Sequence, residues 1–117
     1  MIKMNHLQGH GDDRGLILWT SQRLMNFDYK YLTIGTIKPG CVRGGHYHNV
    51  TEEKLLCLSG KLIFVLDTSA VEMSEGDIID IPVGKTHTVI NTGKELATFV
   101  EFKSKEFDED DKDTFVK

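Results

Sequence analysis

Apolar residues along this chain recur at every second position over short stretches, and glycine punctuates the stretches. Residues 31–40 (YLTIGTIKPG) and 95–102 (ELATFVEF) alternate in this way, the pattern of a strand with one face buried. LILWT at 16–20 follows the turn-like GDDRG. Pro39-Gly40 closes the second strand with a turn. Residues 54–66 (KLLCLSGKLIFVL) are two apolar runs around Ser59-Gly60 and predict a hairpin. AVEM at 70–73 leads into the turn SEGD. DIIDIP at 77–82 and THTVIN at 86–91 read as strands on either side of the Pro82-Val83-Gly84-Lys85 loop. No segment carries a helical period of useful length. Many short strands at close spacing predict an all-β fold, an antiparallel barrel or sandwich. The end, FDEDDKDTFVK, is acidic and reads as a solvated tail.

Composition narrows the classes. At 117 residues the chain fits one domain, 1–117, large enough to bury a core without disulfides. A net charge of −4 and the lack of a basic stripe argue against a nucleic-acid partner. No apolar run is long enough to span a membrane, and MIKMNHLQGHGDD has no signal-peptide core, so the expected location is cytoplasmic. Cys41 and Cys57 fit that compartment as free thiols, Cys57 as a small core residue within LLCLS.

The candidate chemistry lies in RGGHYHNVTEEKLLCLSG, residues 43–60. On a strand, alternate side chains share a face, so His46 and His48 project together with Tyr47 opposite. Two imidazoles in a dry barrel interior need a metal ion or a ligand to satisfy them. Glu53 can reach the same point from the adjoining strand, and His87 from a more distant one. Glu52 and Lys54 then point outward, toward solvent. Three imidazoles and one carboxylate suit a divalent metal, zinc, iron, manganese or nickel, and the ligand set does not choose among them.

The spacings give the cluster a second reading. Gly40, five residues, His46, one, His48, four, Glu53, six, Gly60 make one block. Gly76, five, Pro82, one, Gly84, two, His87, three, Asn91 make another. These blocks, at 40–60 and 76–91, resemble the two signature motifs of the cupin superfamily. The resemblance implies a single-domain double-stranded β-helix, a jelly-roll barrel. It also implies metal ligation by His46, His48, Glu53 and His87. GDDRG at the start, DIPVGKTHTVINTG at 80–93 and EFDEDDKDTF at 106–115 narrow it further. Together with the histidine segment they resemble the C-terminal cupin domain of the bifunctional capsular-polysaccharide enzymes, which reduce and epimerise UDP-linked 4-keto sugars. Those enzymes carry a reductase domain ahead of the cupin, so any reduction step is expected of another protein. The rhamnose-pathway 3,5-epimerases and the 3,4-ketoisomerases of dTDP-4-keto-6-deoxyglucose share parts of the pattern. The former typically carry Gln at the position of His48 and Lys at that of Glu53, and work without metal.

The resemblance implies an epimerase or isomerase of a nucleotide-linked 4-keto-6-deoxy sugar in surface-polysaccharide biosynthesis, working as a homodimer. Such a reaction needs a base for the proton beside the ketone and a partner for the enolate charge. In the resembling epimerases the base is the position of His46. If metal occupies it, Tyr29, Tyr31 and Tyr47 are the remaining proton carriers, with packing the competing role for each. Arg14 and Arg43 are candidates for the diphosphate, since guanidinium presents a bidentate fork. A surface ion pair with Asp12 or Asp13 is the competing role for Arg14. A metal-dependent oxygenase and a non-enzymatic small-ligand cupin are the alternative functions.

Overall fold

The computed structural model describes residues 2–21 and 24–116. Among them are twelve strands and no helix. In chain order they are β1 (Met4–His6), β2 (Gln8–Asp12), β3 (Gly15–Trp19), β4 (Tyr31–Ile37), β5 (Val42–Tyr47) and β6 (Glu53–Ser59). Then follow β7 (Leu62–Leu66), β8 (Ser69–Met73), β9 (Asp77–Ile81), β10 (His87–Ile90), β11 (Ala97–Lys103) and β12 (Phe115–Val116). One five-stranded sheet runs β1-β9-β6-β11-β4 and a second runs β12-β5-β10-β7-β8. β2 and β3 form a separate hairpin around Asp13-Arg14. All ladders are antiparallel. This is the all-β jelly-roll barrel expected from the motifs. Among the described residues, no helix is long and apolar enough to cross a membrane.

The strands alternate because one register of each faces the space between the sheets. Leu55 and Cys57 of β6, Ile79 and Ile81 of β9, Leu62, Phe64 and Leu66 of β7, and Phe99 of β11 meet there in one apolar cluster. Several of these are entirely excluded from water, at about 1.5–3 kcal/mol for each large side chain. β6 is buried on both faces, which explains its unbroken apolar run. Its outward residue Leu56 joins Ile78, Val100 and Leu7 in a second cluster, covered by Leu18, Leu24, Met25 and Phe102.

That outer layer corrects one expectation. Lys54 does point outward, but it is only 4% exposed and pairs with Asp80, its cross-strand neighbour on β9. The tail is a second correction. Instead of running free into solvent, it returns along the barrel, and β12 pairs with β5 at Phe115–Tyr47 and Val116–His46. Asp113 anchors the return. Its carboxylate accepts hydrogen bonds from the amides of Asn49 (2.9 Å), Val50 (3.1 Å) and Thr51 (2.7 Å), and from the Thr51 hydroxyl (2.7 Å). Partial burial alone would raise this carboxyl, but those hydrogen bonds outweigh it and lower it to about 2.

Candidate functional site

The two sheets bring the three expected histidines to one point inside the barrel. His46 and His87 are directly paired across β5 and β10, with ring centroids 4.5 Å apart. His48, just beyond β5, lies 5.0 Å from His46 and 5.4 Å from His87 by the same measure. One ring nitrogen from each falls within 4.8 Å of the others, close enough to hold a single cation. Glu53 reaches in from β6 and contacts His48 Nε2. His48 is fixed from behind, where its Nδ1 donates to the Asp113 carbonyl at 2.8 Å. With Nδ1 carrying that proton, Nε2 turns its lone pair on the cluster unless a second proton makes the ring an imidazolium.

The backbone of β5 achieves this with a bulge. His87 opposes His46, while the next residue, Thr88, opposes Gly44, so Gly45 is the extra residue on β5. Gly44 and Gly45 both have positive φ, 102° and 78°. A side chain at Gly44 would press on the His87 carbonyl at 2.7 Å. Strict alternation would send Arg43 and His46 to opposite faces; the bulge sends both inward. A cavity of about 390 Å³ opens beside the histidines, lined by Thr33, Arg43, His46, His87, Phe99 and Glu101 among others. Arg43 is steadied by donating from Nε to the Thr36 carbonyl at 3.0 Å.

Two charged residues on β11 complete the site, and the motif spacings do not reveal them. Lys103 Nζ lies 3.4 Å from Glu53 Oε2. The Glu101 carboxyl stands within 4.8 Å of ligand atoms of both Glu53 and His87. Their signal in the sequence is the alternation itself: Phe99, Glu101 and Lys103 share one face of β11, and Phe99 is core. A charge on the buried register of a strand marks a site.

Burial and neighbouring charge set the protonation of the cluster. Burial lowers His46, aided by His48, and lowers His87 to about 4. Burial would also lower His48, but the hydrogen bond and charge of Glu53 outweigh it and raise the ring. Burial would raise Glu53; His48, Glu101 and Lys103 together hold it well below the usual carboxylate range. Burial, and then the hydrogen bond and charge of Glu53, push the Glu101 carboxyl up. Lys103, which burial would lower, is raised by Glu53 and Glu101.

The residues fit a metal ion. His87 Nδ1 is buried with no hydrogen-bond partner, and beside it His48 Nε2 and the Glu53 carboxylate meet each other, with Lys103 on the far carboxylate oxygen. Imidazole nitrogens and a carboxylate gathered at one buried point, one nitrogen without a partner, are a donor set that suits a divalent cation.

The remaining expected residues fall elsewhere. Arg14 sits in the β2–β3 turn, 89% exposed, with Nη2 2.7 Å from Asp12, so within the chain it is not brought to the histidines. Tyr47 stacks on Phe115 at 5.5 Å between centroids. Tyr29 packs on Phe102 and Tyr31 on Phe107. None of the three tyrosines lines the cavity. Asn91 is structural, its amide donating to the Ile37 and Glu95 carbonyls at 2.8 Å each. Glu52 is exposed.

Comparison with known proteins agrees with this architecture. Residues 10–115 match the polysaccharide biosynthesis C-terminal domain, and the chain belongs to that family. The UDP-2-acetamido-2,6-beta-L-arabino-hexul-4-ose reductase of Pseudomonas aeruginosa is 28% identical over 115 residues, covering 92% of this chain and 30% of that protein. The capsular polysaccharide assembling protein CapF of Staphylococcus aureus is also 28% identical. The match covers 94% of this chain and 34% of CapF, with a TM-score of 0.67. This chain therefore spans about a third of the length of these relatives. A 3,4-ketoisomerase from Thermoanaerobacterium thermosaccharolyticum, solved in complex with TDP, shares the fold at 19% identity. Its TM-score is 0.84, over 99% of this chain and 87% of that one. The cupin resemblance is borne out.

Proposed function

We propose that this member of the polysaccharide biosynthesis C-terminal domain family moves a proton beside the ketone of a nucleotide-linked 4-keto-6-deoxy sugar. The product is an epimer or isomer for a surface polysaccharide. The observation that carries the reading is the convergence of His46, His48, His87 and Glu53 beside a cavity that His46, His87 and Arg43 line. The names of the relatives, a UDP-keto-sugar enzyme and a capsule-assembly protein, support the substrate class.

His46, His48, Glu53 and His87 would hold a divalent metal, zinc first, which supplies a Lewis acid for the ketone oxygen as enolate charge develops. The chain's own residues do the rest. Asp113 fixes the His48 tautomer through its carbonyl. Lys103 neutralises Glu53 from the side away from His48. Arg43 presents the one guanidinium on the cavity wall among the described residues, a partner for a diphosphate or a sugar oxygen. The apolar walls, Leu55, Val89 and Phe99, exclude water from the reacting carbon. We further propose a homodimer. The β2–β3 hairpin stands apart from both sheets and exposes Leu16, Ile17 and Trp19, apolar surface that a second copy would cover. Arg14 at its tip would then serve the partner's site.

Elemental analysis of protein purified without chelator, beside His48→Ala, tests the centre. About one metal per chain, lost in the variant, is the expected result. Iron with oxygen consumption would instead support an oxygenase. No metal in the parent protein would refute the centre and leave His46 as the leading base.

A further inference from the structure

The proposed reaction leaves one role empty. The proton beside the ketone needs a base, and a metal at His46, His48, Glu53 and His87 occupies the nitrogens and the carboxylate that would otherwise serve. Tyr29, Tyr31 and Tyr47 pack on phenylalanines and are absent from the cavity wall. Arginine and threonine, the other polar residues on that wall, are poor proton acceptors. Among the described residues the wall holds a single carboxyl, that of Glu101.

We propose that Glu101 is the base that takes the proton from the sugar carbon adjacent to the ketone. This rests on the sugar-nucleotide reading above. Three placements carry it. Glu101 comes from β11 in one sheet, whereas His46 and His87 come from β5 and β10 in the other, and all three line the one cavity. Its carboxyl is within 4.8 Å of ligand atoms of Glu53 and His87, which puts it beside the position where the ketone would be polarised. The strand beneath it is rigid: Glu101 opposes Thr33 on β4 and Leu55 on β6, paired on both sides. In the step, the carbon–hydrogen bond breaks and the proton passes to a Glu101 oxygen. The freed electron pair forms a carbon–carbon double bond, and the carbonyl pair moves onto the ketone oxygen as an enolate. Return of a proton from the Glu101 carboxylic acid to carbon reverses the sequence. Exchange of that acid proton with water makes the step visible as isotope uptake.

The test incubates the metal-replete protein in D2O with dTDP-4-keto-6-deoxyglucose and with its UDP-linked 2-acetamido counterpart. NMR follows the hydrogens next to the ketone, and metal content is measured in parallel. The parent protein should replace them with deuterium. Glu101→Gln should slow the exchange by at least about 100-fold at unchanged metal content, the lower range for a lost general base. Glu101→Asp, which keeps a retracted carboxylate, should be slowed less, and added formate should restore part of the rate in Glu101→Ala. Exchange by Glu101→Gln at the parent rate would overturn the assignment. So would loss of metal together with exchange, which would make Glu101 a ligand. Should Glu101→Gln not fold, Glu101→Asp decides: a slowed rate with metal retained supports the base, and an unchanged rate refutes it. No exchange by the parent protein on either sugar overturns the sugar-nucleotide reading itself, and this inference with it.

Discussion

Asp113 ties the C-terminal return to the loop after the histidines, and removing its carboxylate should loosen both. The group accepts from three consecutive amides, at 2.9, 3.1 and 2.7 Å, and from the Thr51 hydroxyl at 2.7 Å. A hydrogen bond to a charged group contributes about 1.5–3 kcal/mol when buried, and clustered bonds do not add. Asp113 is partly exposed, and water can solvate the released amides. Asp113→Ala should therefore cost about 2–3 kcal/mol, near 10 °C in Tm for a domain of this size. Asp113→Asn keeps one acceptor oxygen and should cost about half as much. The His48 anchor is the Asp113 carbonyl, which both variants retain, so the effect reports on the carboxylate. The pH dependence has a definite sign. The folded carboxyl is depressed to about 2 from 3.8, so its stabilisation is present above pH 3.8 and is lost as pH falls through the folded value. In urea titrations the gap between parent and Asp113→Asn should be constant from about pH 7 to 5 and narrow below 4. A gap under about 0.5 kcal/mol at pH 7, or one that widens in acid, would refute the clamp.

Four other substitutions and a thiol-labelling test probe the frame around the site. Gly44→Ala should cost about 3 kcal/mol and Gly45→Ala about 1 by chemical denaturation. Both force a side chain into positive φ, but only Gly44 also meets the His87 carbonyl at 2.7 Å, and equal costs would count against the bulge. Asp80→Ala should destabilise by about 2–4 kcal/mol by leaving Lys54 charged in the outer apolar layer, whereas Lys54→Met should cost less than about 1.5. The reverse order would show that Lys54 is solvated after all. Burial pushes the Cys57 thiol up to about 11, so iodoacetamide at pH 8 should modify only the exposed Cys41 in native protein and both thiols in urea. Native double labelling by mass spectrometry would contradict the packed core of β6.

The sequence by itself determined the strand character, the barrel and most of the histidine–glutamate cluster. Alternation reports burial directly, since a strand has two faces, and the His-x-His step guarantees a shared face whatever the rest of the chain does. The spacings to Glu53 and His87 carried the other two members because they match the cupin motifs, whose short connections carry the chain from one sheet to the other. Only the tertiary structure decided which outward residues meet water. Lys54 follows the expected register but is buried on the outer face of β6 beside Asp80 of β9, a contact with no local signal. It alone turned an acidic tail into a clamp, because the attraction between Asp113 and the amides of Asn49–Thr51 acts across more than sixty residues of sequence. The Gly45 bulge was invisible too: a two-for-one register exists only where β5 meets β10, and it is what aims Arg43 and His46 into one cavity. Glu101 and Lys103 stood in plain alternation with Phe99. Their meaning depended on β11 lying beside β6, where an inward charge finds Glu53 instead of leucine.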